Sequence, residues 1–206
     1  MAKHLTIPIS ADEIKDLSVG DSVLLSGVIV TGRDAFHKWI HDVFIKKTIP
    51  STQEDLDTLK HIKPLLDEGL IYHCGPVVSG LNSKHYHFVA AGPTTSIREE
   101  PYQADVIKFV NLRGVIGKGG MGQKTLEACH EAPAVYFHAI GGAAALIAES
   151  VVEVIGVHKL EFGVPEAMWI IKVKDLPVIV TMDAHNISLH TTIKERSKAA
   201  RDNLFT

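Results

Sequence analysis

Between residues 92 and 122 the chain reads GPTTSIREEPYQADVIKFVNLRGVIGKGGMG. Two turns bracket a helix-patterned segment there. The first, Gly92-Pro93-Thr94-Thr95-Ser96, is rich in hydroxyl groups and runs at once into Arg98. The second, Gly117-Lys118-Gly119-Gly120-Met121-Gly122, is rich in glycine and carries one lysine. Glycine lets main-chain N–H groups come close to a ligand, and arginine or lysine supplies charge. Each loop therefore has the chemistry of half a site for a small anion, carboxylate or phosphate.

The rest of the chain supplies strands and helices in irregular alternation. His4–Ile9 reads as a first strand, pushed to an edge or an end by Pro8. Ser22–Thr31 is β-branched and strand-like, and ends at Gly32-Arg33-Asp34, where Asp34 is placed to cap a helix. Phe36, Ile40, Val43 and Phe44 recur at helical spacing after it. Thr52–Leu66, within the 46–70 connection, is polar and charged, and the expectation there is a connection or flap with one helical turn. A hairpin is expected from Val77–Ser79 and Lys84–Ala90, with His85 and His87 facing solvent because no third ligand stands near them. Ser96 and Glu99 have capping-box spacing, and Gly114 is placed as a helix stop. Gly141–Ala145 has small side chains suited to close backbone approach. Ser150–Phe162 is strand-like with a break at Gly156. Met168–Val173 and Val178–Met182 read as two strands divided around Pro177, and the tail 193–203 as a polar helix. The expected fold is α/β, one domain over residues 1–206 with a mixed sheet.

The balance of charge and apolar content limits the function classes. The 206 residues are 46% hydrophobic and 22% charged, which suits a globular core. The net charge of −3 offers no field for nucleic acid or an anionic membrane. No apolar run reaches the length of a membrane span, and the expected location is cytoplasmic. Cys74 and Cys129 make no disulfide framework and read as small buried hydrophobes.

Gly117–Gly122 also matches the G-x-G-x-x-G dinucleotide pattern, but it lies mid-chain and no acidic residue follows at the distance that would hold a ribose. Arg98, just after a turn of helix-capping composition, opposes the helix dipole unless an anion lies beside it. Arg33, at a strand-to-helix junction, is a third cation. Together Arg33, Arg98 and Lys118 would neutralise a dianion.

The turn GPTTSIR, the loop VIGKGGMG and the segments TGRDAFHK, FHAIGGAAAL and PEAMWIIKVKDLPVIVTMDA resemble the β-subunit, or C-terminal domain, of the iron–sulfur class I fumarases and L-tartrate dehydratases. Glu99 departs from that family, which usually carries methionine after the arginine. The resemblance implies a swivelling β/β/α domain and a hydro-lyase acting on a small dicarboxylate. It implies Thr94 as the proposed base, Arg33, Thr95, Arg98 and Lys118 as substrate-binding residues, and Gly117 and Gly119 as support for the loop around Lys118. It further implies a [4Fe–4S] cluster. A cluster needs at least three thiolates, and this chain has two cysteines, so the cluster is expected on a partner α-subunit and no metal on this chain. A homodimer is expected when the chain is isolated. TGRDAFHK and AIGGAAAL are nearer to the fumarase type; tartrate dehydratase and a non-catalytic dicarboxylate- or nucleotide-binding module are the alternatives.

Overall fold

The computed structural model describes residues 1–83 and 85–204. The strands are β1 (Lys3–Thr6), β2 (Ser22–Thr31), β3 (Leu70–Tyr72), β4 (Val77–Ser79), β5 (His87–Ala90), β6 (Gly114–Gly117), β7 (Val135–His138), β8 (Val151–His158) and β9 (Met168–Met182). The helices are α1 (Ala11–Lys15), α2 (Asp34–Ile40), α3 (Gln53–Leu66), α4 (Glu100–Val110), α5 (Gln123–Glu131), α6 (Ala144–Ala148) and α7 (Leu189–Leu204).

The main sheet runs β1-β2-β3-β6-β7-β9-β8, and β2 pairs a second time with β9. Strands β2, β3, β6, β7 and β9 thus close into a ring. β1, β2, β3, β6 and β7 are mutually parallel, whereas β9 is antiparallel to β2, β7 and β8. This is the mixed-sheet α/β fold that the irregular alternation predicts. Side chains along a strand point to opposite faces in turn. Leu25, Tyr72, Ile116 and Phe137 accordingly join one core cluster, and Val30, Ile71, Val115 and Tyr136 the other. The second cluster is completed by α2 to α5, through residues such as Phe36, Ile62, Val106 and Leu126.

Parallel pairing puts the carboxyl ends of β2, β3, β6 and β7 on one rim. Arg33, His73, Lys118 and Gly141 follow those ends. Sites in open or closed α/β sheets form at such rims because the loops there are free to vary while the strands hold them in place.

Several expectations need correction. Residues 46–70 contain a full helix, α3, not a flap. Thr52 and Asp55 form a capping box at its start, and Ile62 and Leu66 bury its inner face. The two expected strands around Pro177 are one strand, β9. Pro177 is tolerated because it pairs with Leu24 where β9 has left β8 at Val173 and has not yet met β7 at Ile179. Helix α4 stops at Asn111 in the left-handed region (φ 55°), and Gly114 begins β6 instead. The hairpin of β4 and β5 is antiparallel as expected, with His85 and His87 exposed. Its second strand starts at His87, and the expected start at Lys84 lies outside the described residues. The β8–β9 register shifts next to Gly156, at the expected break.

Candidate active site

The two loops read from the sequence lie side by side. Thr94 N donates to His73 O at 2.7 Å, Lys118 N to Thr94 O at 3.2 Å, and Ser96 N to Lys118 O at 3.1 Å. Ala139 N donates to Gly117 O at 2.8 Å, which adds the turn after β7. The rim is therefore a short extension of the sheet, and Thr94, Thr95 and Lys118 are fixed by main-chain bonds before any side chain is considered. Gly119 has φ +82°, a conformation that favours glycine, so the chain can turn back directly after Lys118. Gly117 is required for a different reason. A Cβ there would collide with the Ser96 hydroxyl.

Arg98 lies across Thr94. Its Nη2 donates to Thr94 Oγ1 at 3.0 Å and meets Asp34 Oδ2 at 3.0 Å. The anion required beside Arg98 is thus the protein's own Asp34. The expected capping box at Ser96 and Glu99 does not form. Residues Ser96–Glu99 make a turn of 3-10 helix, and the Ser96 hydroxyl is engaged elsewhere. Arg33 stands over Gly75, where any side chain would strike its guanidinium group, and its Nε lies 3.3 Å from Glu166 Oε1. Asp34 joins the Arg98 and Arg33 neighbourhoods, since it begins α2 directly after Arg33. Lys118 Nζ has no hydrogen-bond or ion-pair partner among the described residues. Its side chain runs past Gly141, whose Cβ would sit 3.4 Å from Lys118 Cδ.

Beneath these side chains runs a buried chain of polar groups that the sequence did not announce. Tyr136 OH donates to Ser96 Oγ at 2.8 Å, and Ser96 Oγ lies 2.8 Å from His73 Nδ1. Gln103 Oε1 lies 3.0 Å from His73 Nε2 and 2.8 Å from His37 Nε2, and His37 Nδ1 lies 2.8 Å from the Arg33 carbonyl. His37, His73, Ser96 and Gln103 are wholly buried. Burial lowers the His37 pKa to about 4 and that of His73 well below its usual value, so both rings are neutral. A neutral His37 that donates from Nδ1 to a carbonyl has an acceptor at Nε2. The Gln103 amide therefore turns its N–H₂ toward the two rings, since amide oxygen and nitrogen are told apart only by their partners. The chain links the loops that carry Arg33, Thr94 and Lys118. Its members sit at no recognisable spacing, and each looks ordinary alone.

The dinucleotide pattern leads elsewhere. Glu100 accepts from Gly122 N at 2.7 Å, Lys124 N at 3.1 Å and the Thr125 hydroxyl at 2.6 Å. The N-terminus of α5, where a pyrophosphate would bind, is filled by this carboxylate. Cys74 and Cys129 are buried in different core clusters, as small hydrophobes, with burial raising both thiols, Cys129 to about 12. Among the described residues no three His, Cys, Asp or Glu side chains gather to hold a metal, and no helix is long and apolar enough to cross a membrane.

Residues 2–193 match the family model described as the fumarase C-terminus. The chain is 48% identical over 194 residues to a Geobacillus stearothermophilus protein whose name assigns it to the class I fumarate hydratases. That match takes in 94% of this chain but 34% of the relative, so the chain spans about a third of that protein's length. It is also 36% identical over 203 residues to the L(+)-tartrate dehydratase subunit beta of Escherichia coli strain K12, covering 98% of this chain and 93% of that subunit. Both names denote hydro-lyases. The chain belongs to the fumarase C-terminus family.

Proposed function

We propose that this chain is the substrate-gripping β-subunit of an iron–sulfur hydro-lyase, a fumarate hydratase that interconverts malate and fumarate. The observation that carries the reading is the pairing of Thr94–Ser96 with Lys118, which holds two hydroxyls and two cations around one rim. Arg33, Thr95, Arg98 and Lys118 hold the two carboxylates, and Thr94 takes the proton. A C–H next to a carboxylate is a weak acid, so the developing charge must be met by fixed cations. A threonine hydroxyl is a poor base in water. The Arg98 bond to its oxygen favours the ionised form, which supports the role.

The residues present do not fit an iron–sulfur cluster, because both thiols are buried and apart. No step on this chain is assigned to one. The cluster belongs to an α-subunit, and the two thirds of the Geobacillus relative that this chain does not match is the matching allowance of sequence. Ile97, Ile140 and Leu146 are exposed on segments next to the site, which supports a covering partner, or a second copy when the chain is alone. The higher identity to the fumarate-type relative favours malate over tartrate. The test is reconstitution with a cysteine-bearing partner, iron and sulfide. The chain alone should be inactive and the pair should dehydrate malate faster than tartrate. Dehydration by the chain alone would refute the two-chain reading, and a preference for tartrate would move the assignment to the second substrate.

A further inference from the structure

Glu99 is a buried acidic group at this rim with no hydrogen-bonding side chain beside it among the described residues. It closes the Ser96–Glu99 turn directly after Arg98. Its side chain is fully buried, and neither carboxyl oxygen has a hydrogen-bond partner among the described residues. An ionised carboxylate so placed is strongly disfavoured. Burial is the largest cause and the nearby Asp34 the next, and together they raise its pKa to about 7; the main-chain N–H of Glu99 itself, Arg98 and Arg33 oppose them.

The surrounding groups come from four directions. Asp34 and Arg33 lie at the junction of β2 and α2, Arg98 on the same turn, and the Tyr136 hydroxyl on β7. His37 and His73 meet Gln103, one helical turn further along α4, and carry no charge. Arg98 and Arg33 already have acidic partners in Asp34 and Glu166. With Lys118 on the adjoining loop, the rim carries three cations against the carboxylates of Asp34, Glu166 and Glu99. With Glu99 ionised, charge is matched one for one, and nothing remains to attract an incoming dianion. With Glu99 neutral, one positive charge is left over.

We propose that Glu99 is a positioning residue that must carry a proton for Arg33, Arg98 and Lys118 to receive a dicarboxylate, so that substrate binding and proton uptake are coupled. The proposal rests on the dicarboxylate reading of this site. A bound dianion adds negative charge beside Glu99 and raises its affinity for a proton further. Between the free and bound values, binding takes up one proton. Affinity is then full below pH 7 and falls as pH rises above it.

The test uses the full chain and malate. Infrared titration of the unliganded protein should show a protonated carboxyl band lost near pH 7, absent in Glu99→Gln, and shifted to higher pH by saturating malate. Calorimetry in two buffers of different ionisation heat should show proton uptake on malate binding. Malate affinity should weaken by up to about tenfold per pH unit above 7 in the native chain and stay flat in Glu99→Gln. Glu99→Met, of similar volume and without a proton, should also bind flat, which covers a misfolded Gln variant. A band that titrates in the ordinary carboxylate range, or malate binding with no proton uptake, overturns the Glu99 proposal while leaving the site intact. No malate heat at pH 6, where affinity should be full, contradicts the dicarboxylate reading and removes the proposal with it.

Discussion

Arg98 donates from Nη2 to the Thr94 hydroxyl at 3.0 Å, and the same nitrogen meets Asp34. One guanidinium group thus holds the proposed base and is itself held by an acid on another element. A lysine carries the charge but not the planar fork. Arg98→Lys should therefore lower kcat/KM for malate by about 10²-fold or more. Thr94→Ser should retain far more activity than Thr94→Val, which keeps the shape but has no hydroxyl. Equal rates for Ser and Val, in steady-state assays of the reconstituted enzyme, would exclude Thr94 as the base.

Ser96 receives the Tyr136 hydroxyl and faces His73, all in the buried interior. Ser96→Ala leaves both partners unsatisfied and should cost roughly 1–3 kcal/mol. Gly117→Ala forces a methyl group onto the Ser96 hydroxyl and should cost about 2 kcal/mol or more. Urea unfolding of the two variants and the double mutant checks this. The pair should be non-additive, because removing the hydroxyl makes room for the methyl group.

His37 stays neutral in the fold down to pH about 4. In the unfolded chain it takes up a proton below about pH 6.5. The unfolded state therefore binds more protons in that window, and stability falls as pH drops from 6.5 toward 4. His73 acts in the same direction. The ring carbons of His37, followed by NMR, should not titrate between pH 7.5 and 5. A midpoint near 6.5 would show that the buried polar chain is open to water.

Glu99 has the opposite slope. Its native pKa lies near 7, above the ordinary carboxylate value, so the native state holds its proton longer than the unfolded chain does. Stability is lost as pH rises from about 4.5 through 7, by an amount on the order of 1–3 kcal/mol. Glu99→Gln should raise the melting temperature at pH 8 and change it little at pH 4.5. The same gain at both values would mean that the effect comes from packing and not from charge.

The loops were legible because their chemistry is local. Glycines, hydroxyls and one cation each marked Thr94–Arg98 and Gly117–Gly122, and Arg33 stood where a strand meets a helix. Family resemblance supplied the roles. The pairing of those loops, and the carboxylates opposite Arg33 and Arg98, were not legible, since Asp34 and Glu166 come together only through the fold. The buried chain from Tyr136 to Arg33 spans five segments and has no period. Helix α3 was missed although Thr52 and Asp55 have the spacing of its cap, because its outward face is charged and its apolar positions are few. At Pro177 a local rule was overruled by register. Glu99 was visible as a departure from its family, but its meaning depends on burial, which no local pattern reports.

In the proposed site Lys118, which has no partner among the described residues, completes a three-cation grip on a dicarboxylate. The direct test is kcat/KM for malate dehydration by the reconstituted enzyme with Lys118→Met, a variant that keeps the aliphatic stem. The half-exposed position should leave the melting temperature nearly unchanged. The expected loss is roughly 10²–10³-fold. Activity within about threefold of the native enzyme, in a folded and fully loaded variant, would contradict it.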